Sequence, residues 1–305
     1  MKSNLPNFVY SVEAGHSLKT GKPLVALEST VITHGLPYPK NLELAVSMEE
    51  TIRNEGACPA TIAILNGTIH VGLTREEIER LVNQKKVRKI SHRDFATAII
   101  KKEFGGTTVA GTLFVANLAG IKVFATGGIG GVHPHSSFDI STDLSALSMT
   151  PMIVVCAGAK AILDLPATLE VLETNGVPVI GYQTDEFPAF YSIQSGLPVS
   201  VRMDSPEAIV EFATTHWSLG FQSSVLVTQP PPAGSAIPAV EIDSAIQQAQ
   251  EEAEEENIHG QALTPYLLAR LTELTHGATL KTNIDLLLNN ARLAAHIAVK
   301  FSDLN

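Results

Sequence analysis

Short apolar runs, rich in β-branched residues, alternate along the chain with segments whose apolar positions recur at helical spacing. The runs fall at 24–27, 61–65, 123–125, 152–155, 177–180 and 224–228. Each is of strand length and mostly apolar, the pattern of strands covered on both faces. Between them, 40–55 places Leu44, Ala45, Met48 and Ile52 at helical spacing. The segment 75–84 follows Thr74, an N-cap candidate with Glu77 three residues on. The segment 166–175 ends at Gly176, where a C-terminal cap belongs. A proline-rich connection, QPPPAGSAIPAV at 229–240, leads to three more helical stretches at 241–257, 265–273 and 283–300. The pattern predicts a layered α/β/α fold with a largely parallel central sheet and a helical C-terminal part from about 241 to 305. No internal repeat or low-complexity tail divides the 305 residues, so a single domain is expected.

Composition narrows the partners. Apolar residues make up 45% of the chain, enough for a large core, yet no apolar run reaches the roughly eighteen residues needed to cross a bilayer. The first residues, MKSNLPNFVYSVEAG, lack the apolar stretch of a signal peptide. Cys58 and Cys156 sit in apolar surroundings with no metal spacing and read as buried free thiols. A cytoplasmic protein without a membrane partner is expected. The net charge is −10, from 21 Lys and Arg against 31 Asp and Glu, which disfavours a nucleic acid polymer. The basic cluster KKVRK at 85–89 is too short to reverse that, although a few cations and amides suffice for one phosphate. The run EEAEEE at 251–256 reads as a solvated helix face.

Several clusters could carry chemistry. GGTTVAGT at 105–112 and TGGIGGV at 126–132 are glycine-rich, and the second follows a predicted strand. Such glycines let backbone amides approach a phosphate, although neither spacing matches a known nucleotide loop. Asp139, Ser141 and Asp143 form D-x-S-x-D. In a strand or a helix both carboxylates face one direction, which suits a hard divalent metal or, equally, loop and cap roles. Lys160 lies just past an apolar strand in VVCAGAKAILDLP. A lysine so placed is poorly hydrated, and a neutral amine can form a Schiff base; a snorkelling lysine at a helix start is the competing reading. Glu28 ends another apolar strand in PLVALESTVITHG, where a half-buried carboxyl can act as a general acid or as a structural cap. His34 in the same loop reads as structural, and Trp217, the only tryptophan, as core.

ALESTVITHGLPYPKN, GACPATIAILNGTIHVGL, GTTVAGT, ATGGIGGVH, FDISTDL, VVCAGAKAILDLP, GYQTDEFPAFY, TPYLL and TNIDLLLNNARLAA together resemble the pseudouridine-5′-phosphate glycosidase family. The likeness spans roughly residues 25–299. It implies an α/β/α fold, a homotrimer and manganese dependence; two carboxylates accept magnesium as well, so that metal stays open. The implied activity is reversible cleavage of pseudouridine 5′-phosphate to uracil and ribose 5-phosphate, through a lysine adduct of ring-opened ribose. By resemblance the proton donor falls on Glu28, the nucleophile on Lys160 and the metal ligand on Asp139. Substrate contacts fall on Lys89, Val109, Ser141, Thr142 and Asp143, and Asn283 matches an asparagine near the phosphate and active site. The neighbouring lysines of KKVRK leave open which of them corresponds to Lys89. One departure is GGVHPHSSFDIS, which carries Pro134 where the family has an arginine and makes a shorter connection. A Schiff-base phosphosugar aldolase or lyase would share the lysine and the phosphate loops. A non-catalytic phosphosugar-binding protein would bind without turnover.

Overall fold

The computed structural model describes residues 8–134, 139–258 and 263–304. The chain enters through strand β1 (Phe8–Tyr10) and helix α1 (Val12–Thr20), whose cap, Ser11, accepts from the Ala14 amide. Strand β2 (Leu24–Leu27) runs into a π-helical turn at Val31–Gly35, then helix α2 (Lys40–Asn54). The fully buried strand β3 (Cys58–Leu65) turns back into β4 (Thr68–Val71). Asn66 and Gly67 make that turn, both at positive φ, as a two-residue hairpin requires. Helix α3 (Arg75–Val82) carries the expected reciprocal cap between Thr74 and Glu77. Strand β5 (Arg88–Ile90), helix α4 (Phe95–Ile100), strand β6 (Gly105–Thr107), helix α5 (Val109–Ala119) and strand β7 (Val123–Ala125) follow. Next come α6 (Thr142–Met149), β8 (Ile153–Cys156), α7 (Leu165–Thr174), β9 (Val179–Tyr182), β10 (Val201–Met203), α8 (Pro206–Ser218) and β11 (Val225–Thr228). Helices α9 (Ala239–Glu255), α10 (Leu263–Leu274) and α11 (Ala278–Ser302) close the chain.

The strands lie side by side as β1-β4-β3-β2-β7-β8-β11-β9-β10, parallel from β3 to β10, with helices on both sides. The layered parallel sheet expected from the apolar runs is the one observed. Helices α11 and α2 pack along β2 and β3, and α11 continues over β7 and β8. Helix α11 starts five residues earlier than its periodicity suggests, because Gly277 at φ +87 starts it directly after α10. Trp217 lies at the edge of the core: its indole donates to the Ser223 carbonyl at 3.0 Å, and the Lys122 ammonium sits over its ring. Cys58 and Cys156 are buried free thiols, with burial pushing the first up to about 11 and the second to about 12. Among the described residues no helix is long and apolar enough to cross a membrane.

One irregularity shapes everything beyond the sheet. The first half of β3 pairs with β2, up to Thr61 beside Leu27. Its second half pairs instead with β6, with Ala63 beside Gly106, and on its other side with β4. The sheet therefore forks where β2 ends, and β6 brings β5 alongside, with Lys89 next to Gly106.

Candidate active site

Parallel sheets bind ligands beyond the carboxyl ends of their strands, where the strand order reverses. Here that point lies at β2, with β3 on one side and β7 on the other. Glu28 is the first residue past β2 and is buried. Ser29 and Thr107 stitch the fork beside it. The Ser29 hydroxyl donates to the Ile62 carbonyl at 2.6 Å and accepts from the Thr107 amide at 2.9 Å, while the Thr107 hydroxyl donates to the same carbonyl at 2.8 Å. Lys89 reaches the site from β5, and Lys160 from the loop after β8. The Lys160 amide donates to the Ile129 carbonyl at 3.1 Å, so the two loops beyond β7 and β8 are tied together. Gly128 in that loop lies under the Phe190 ring, and a Cβ there would sit 2.6 Å from the ring.

The cleft has two lobes that share Glu28, Thr30, Lys89, Lys160 and Thr264. The larger, of about 350 Å³, is polar, with Ser91, Arg93, Val109, Ser141 and Thr142 along its walls. The helices α5 and α6 both begin at it. Thr108 caps α5 by accepting from the Gly111 amide at 3.2 Å, and Ser141 caps α6 by accepting from the Asp143 amide at 3.2 Å. Two helix N-termini and two lysines make this lobe a place for an anion. The smaller lobe, of about 50 Å³, is lined by Val31, Phe190, Pro265 and Leu268, with His34 and Asn283 added to the shared polar residues. Its lining suits a largely apolar group with polar edges.

Electrostatics in the cleft follow from burial and crowding. Burial pushes the Glu28 carboxyl above the ordinary carboxylate range, against the pull of Lys160, a hydrogen bond from Thr126 and Lys89; Asp143 adds to the rise. Burial and the Lys160 ammonium push Lys89 below the usual lysine range, with Asp143 and Glu28 opposing. His34 is held below its usual range by burial, against the Val87 carbonyl, with Lys89 adding to the drop. Its Nε2 lies 3.1 Å from that carbonyl and its Nδ1 2.7 Å from the Thr33 hydroxyl, the structural role expected of it. A carboxyl shifted toward its acid form, beside two lysines of which Lys89 is pushed toward neutrality, brings the groups for proton transfer and nucleophilic attack on carbon into one cleft.

The candidate residues read from sequence come together, with two adjustments. Lys160 is half-buried at the wall of the cleft, not enclosed as its apolar surroundings suggest. The fork rather than local sequence brings Lys89 near it and Glu28. The second adjustment concerns D-x-S-x-D, whose two carboxylates line one lobe in different surroundings. Asp139 lies exposed at the rim of the larger lobe. Asp143 turns inward, its Oδ1 accepting from the Ala110 amide at 2.9 Å and its Oδ2 from the Gly130 amide at 2.8 Å. Both of its oxygens are thus engaged in pinning the start of α5 to the glycine loop. Asp143→Ala is expected to lower the unfolding free energy by about 2–4 kcal/mol, because two buried amides lose a charged acceptor; an unchanged urea midpoint would show that the pinning is energetically idle. Lys85 and Lys86 are exposed, and of the KKVRK lysines only Lys89 lines the cleft.

Among the described residues no group of three or more His, Cys, Asp or Glu could enclose a metal ion. The donors present suit a hard cation that keeps most of its water and is held by one carboxylate and substrate oxygens, not an all-protein cage. The loop read above as a departure from the family pattern lies partly outside the described residues, at 135–138. Sequence reasoning missed Thr126, Phe190, Thr264, Gln229 and Asn290. All five stand inside segments singled out above, but only their place in the fold marks them.

The sequence profile of the family described as indigoidine synthase A-like protein matches residues 13–300. The chain is 54% identical over 288 residues to the pseudouridine-5′-phosphate glycosidase of Solibacter usitatus, covering 94% of this chain and 96% of the relative. It is 50% identical over 295 residues to the enzyme of the same name from Petrotoga mobilis, covering 96% of each. Among solved structures, the indigoidine synthase A-like protein of Thermotoga maritima superimposes with a TM-score of 0.89 at 36% identity, covering 97% of this chain and 96% of that one. The prealnumycin C-glycosynthase AlnA, solved in complex with ribulose 5-phosphate, superimposes with a TM-score of 0.90 at 40% identity, covering 98% of each chain. A match of this length and identity, on a chain whose cleft joins an acid, two lysines and two helix N-termini, leaves one conclusion: the chain belongs to the indigoidine synthase A-like family and, within it, to the pseudouridine-5′-phosphate glycosidases.

Proposed function

We propose that this protein cleaves pseudouridine 5′-phosphate reversibly to uracil and ribose 5-phosphate. The observation that carries the proposal is the meeting of Glu28 and Lys160 in one cleft with Lys89 and the starts of α5 and α6. The names of the curated relatives support the substrate. The sugar phosphate bound in the AlnA complex supports a phosphate in the larger lobe.

The chemistry explains why both a lysine and an acid are needed. Ribose C1′ is joined to uracil C5 by a carbon–carbon bond, and a carbon leaving group is far harder to expel than a nitrogen. The amine of Lys160 bonds to C1′ as the ring C1′–O4′ bond breaks, and O4′ takes up the proton that the new C–N ammonium loses. Uracil C5 then accepts a proton from Glu28 as the C1′–C5 electron pair moves to the base. The amine's lone pair forms an iminium at C1′. Water adds to that carbon, releasing ribose 5-phosphate and the free lysine. Lys89, Val109, Ser141 and Thr142 hold the phosphate end, and Asp143 keeps the wall of that lobe in place. Asn283 faces the base in the smaller lobe.

Asp139 is the residue to hold a Mn²⁺ or Mg²⁺ ion, which when bound supplies positive charge and ordered water at the rim. Asp139→Ala is expected to lower the metal content of protein dialysed against manganese; unchanged content would move the site elsewhere. A homotrimer is supported by the apolar residues Phe114, Leu118 and Met149, which α5 and α6 leave exposed, and a cytoplasmic setting by the two free thiols. The deciding assay incubates the protein with pseudouridine 5′-phosphate and measures free uracil. Release of uracil with ribose 5-phosphate is the expected result. Binding without release would favour a sugar-phosphate-binding protein, and turnover only of other phosphosugars an aldolase or lyase.

A further inference from the structure

A run of buried polar side chains ends on the proton donor. Thr126 is the first residue past β7, and its hydroxyl is bonded to Glu28 Oε1. The Thr126 amide donates to the Val155 carbonyl at 3.0 Å. The Thr126 carbonyl accepts from Asn290 Nδ2, on α11, at 2.8 Å. Asn290 Oδ1 in turn accepts from Gln229 Nε2 at 3.0 Å, and the Gln229 amide donates to the Cys156 carbonyl at 3.0 Å. Thr126, Asn290 and Gln229 are all buried, Asn290 completely.

Two primary amides buried between a helix and a sheet are costly unless their bonds are made. Apolar residues would fill the same space without that risk. What the polar chain delivers is a fixed geometry, because it locks the carboxyl ends of β7, β8 and β11 to α11. The side chain at its end touches the carboxyl on which the proposed reaction depends.

We propose that Thr126 is a positioning residue for the proton donor, holding Glu28 Oε1 so that the transferable proton is carried on Oε2. The proposal rests on the reading of Glu28 as the donor. A threonine hydroxyl has one proton to give. With that proton directed at Oε1, this oxygen accepts in both the protonated and the ionised acid. The proton then leaves and returns on the other oxygen, and the carboxyl need not rotate between half-reactions. The same bond favours the carboxylate and so offsets part of the rise that burial imposes on Glu28. An acid left too weak would not deliver its proton at neutral pH.

The test uses Thr126→Val, which keeps the shape and removes the hydroxyl, and Thr126→Ser, which keeps the hydroxyl. Both are assayed for uracil release across the pH range. For Thr126→Val we expect a kcat about 10- to 100-fold lower, with KM within about twofold of wild type. Its alkaline limb should move up by about one pH unit, because the carboxylate has lost a donor. Thr126→Ser should restore the limb and most of kcat. A limb that stays in place, or a kcat loss that serine does not rescue, overturns the positioning role. Should the valine variant not fold, Thr126→Ala removes the same hydroxyl without overfilling the site and is read in the same way. Glu28→Gln run in parallel separates the two ideas: if it keeps wild-type turnover, the reading of Glu28 is at fault; if it is dead while Thr126→Val keeps the wild-type limb, only the Thr126 proposal fails.

Discussion

Lys160→Ala is expected to lose uracil release by at least about 10³-fold while still binding pseudouridine 5′-phosphate. Binding should survive because the anion lobe is built by other elements: β5 with Lys89, and the starts of α5 and α6. Borohydride added during turnover should trap a sugar adduct on Lys160, found by peptide mass. Lys89 is the instructive rival. It lines the same lobes, and burial and the neighbouring ammonium push it toward neutrality. Two amines in one cleft resist carrying two full charges, and an arriving phosphate relieves that repulsion. Adduct on Lys89, or near-wild-type turnover in Lys160→Ala, would exchange the two roles.

Glu28→Gln should lower turnover by about 10²- to 10⁴-fold, the usual span for loss of a proton-transfer group. The glutamine fills the same space and still accepts from Thr126, so a lost fold is not the expected cause. The pH dependence gives a second reading. Burial raises the Glu28 pKa, so in wild type the acid form persists above the ordinary carboxylate range. Turnover in the cleavage direction should fall as pH rises through that raised value, and Glu28→Gln should lack this limb. A variant that keeps both its rate and its limb would mean the proton comes from another group.

The apolar runs were enough to predict the parallel sheet, because buried parallel strands need side chains that tolerate cover on both faces. Thr74 and Gly176 marked their helix ends for local reasons, a reciprocal cap and a positive φ. Helix α5 escaped notice because it is apolar almost all round, so it shows no polar face against which to count. The fork was also out of reach: that β3 changes partner halfway is a long-range event written in neither β2 nor β6. For the same reason Glu28 and Lys160 could be nominated as strand-end residues, but not brought together with Lys89. The regular spacing of D-x-S-x-D put both carboxylates on one lobe, but it could not show that Ser141 caps α6 or that Asp143 engages the Ala110 and Gly130 amides. Asn290 stood unmarked in a predicted helical stretch, and the loop carbonyl of Thr126 to which it donates goes with its burial.

The Asp143 clamp bears on how this family can vary. The strands of chain leaving and rejoining the cleft at 130–143 are tied at their base by Gly130 to Asp143, by the Ser141 amide to the Gly131 carbonyl, and by the His133 amide to the Asp139 carbonyl. Length added or removed beyond those ties has no lever on the floor beneath. A connection of different length, or one carrying Pro134, can therefore be attached above those ties while the reacting groups keep their places.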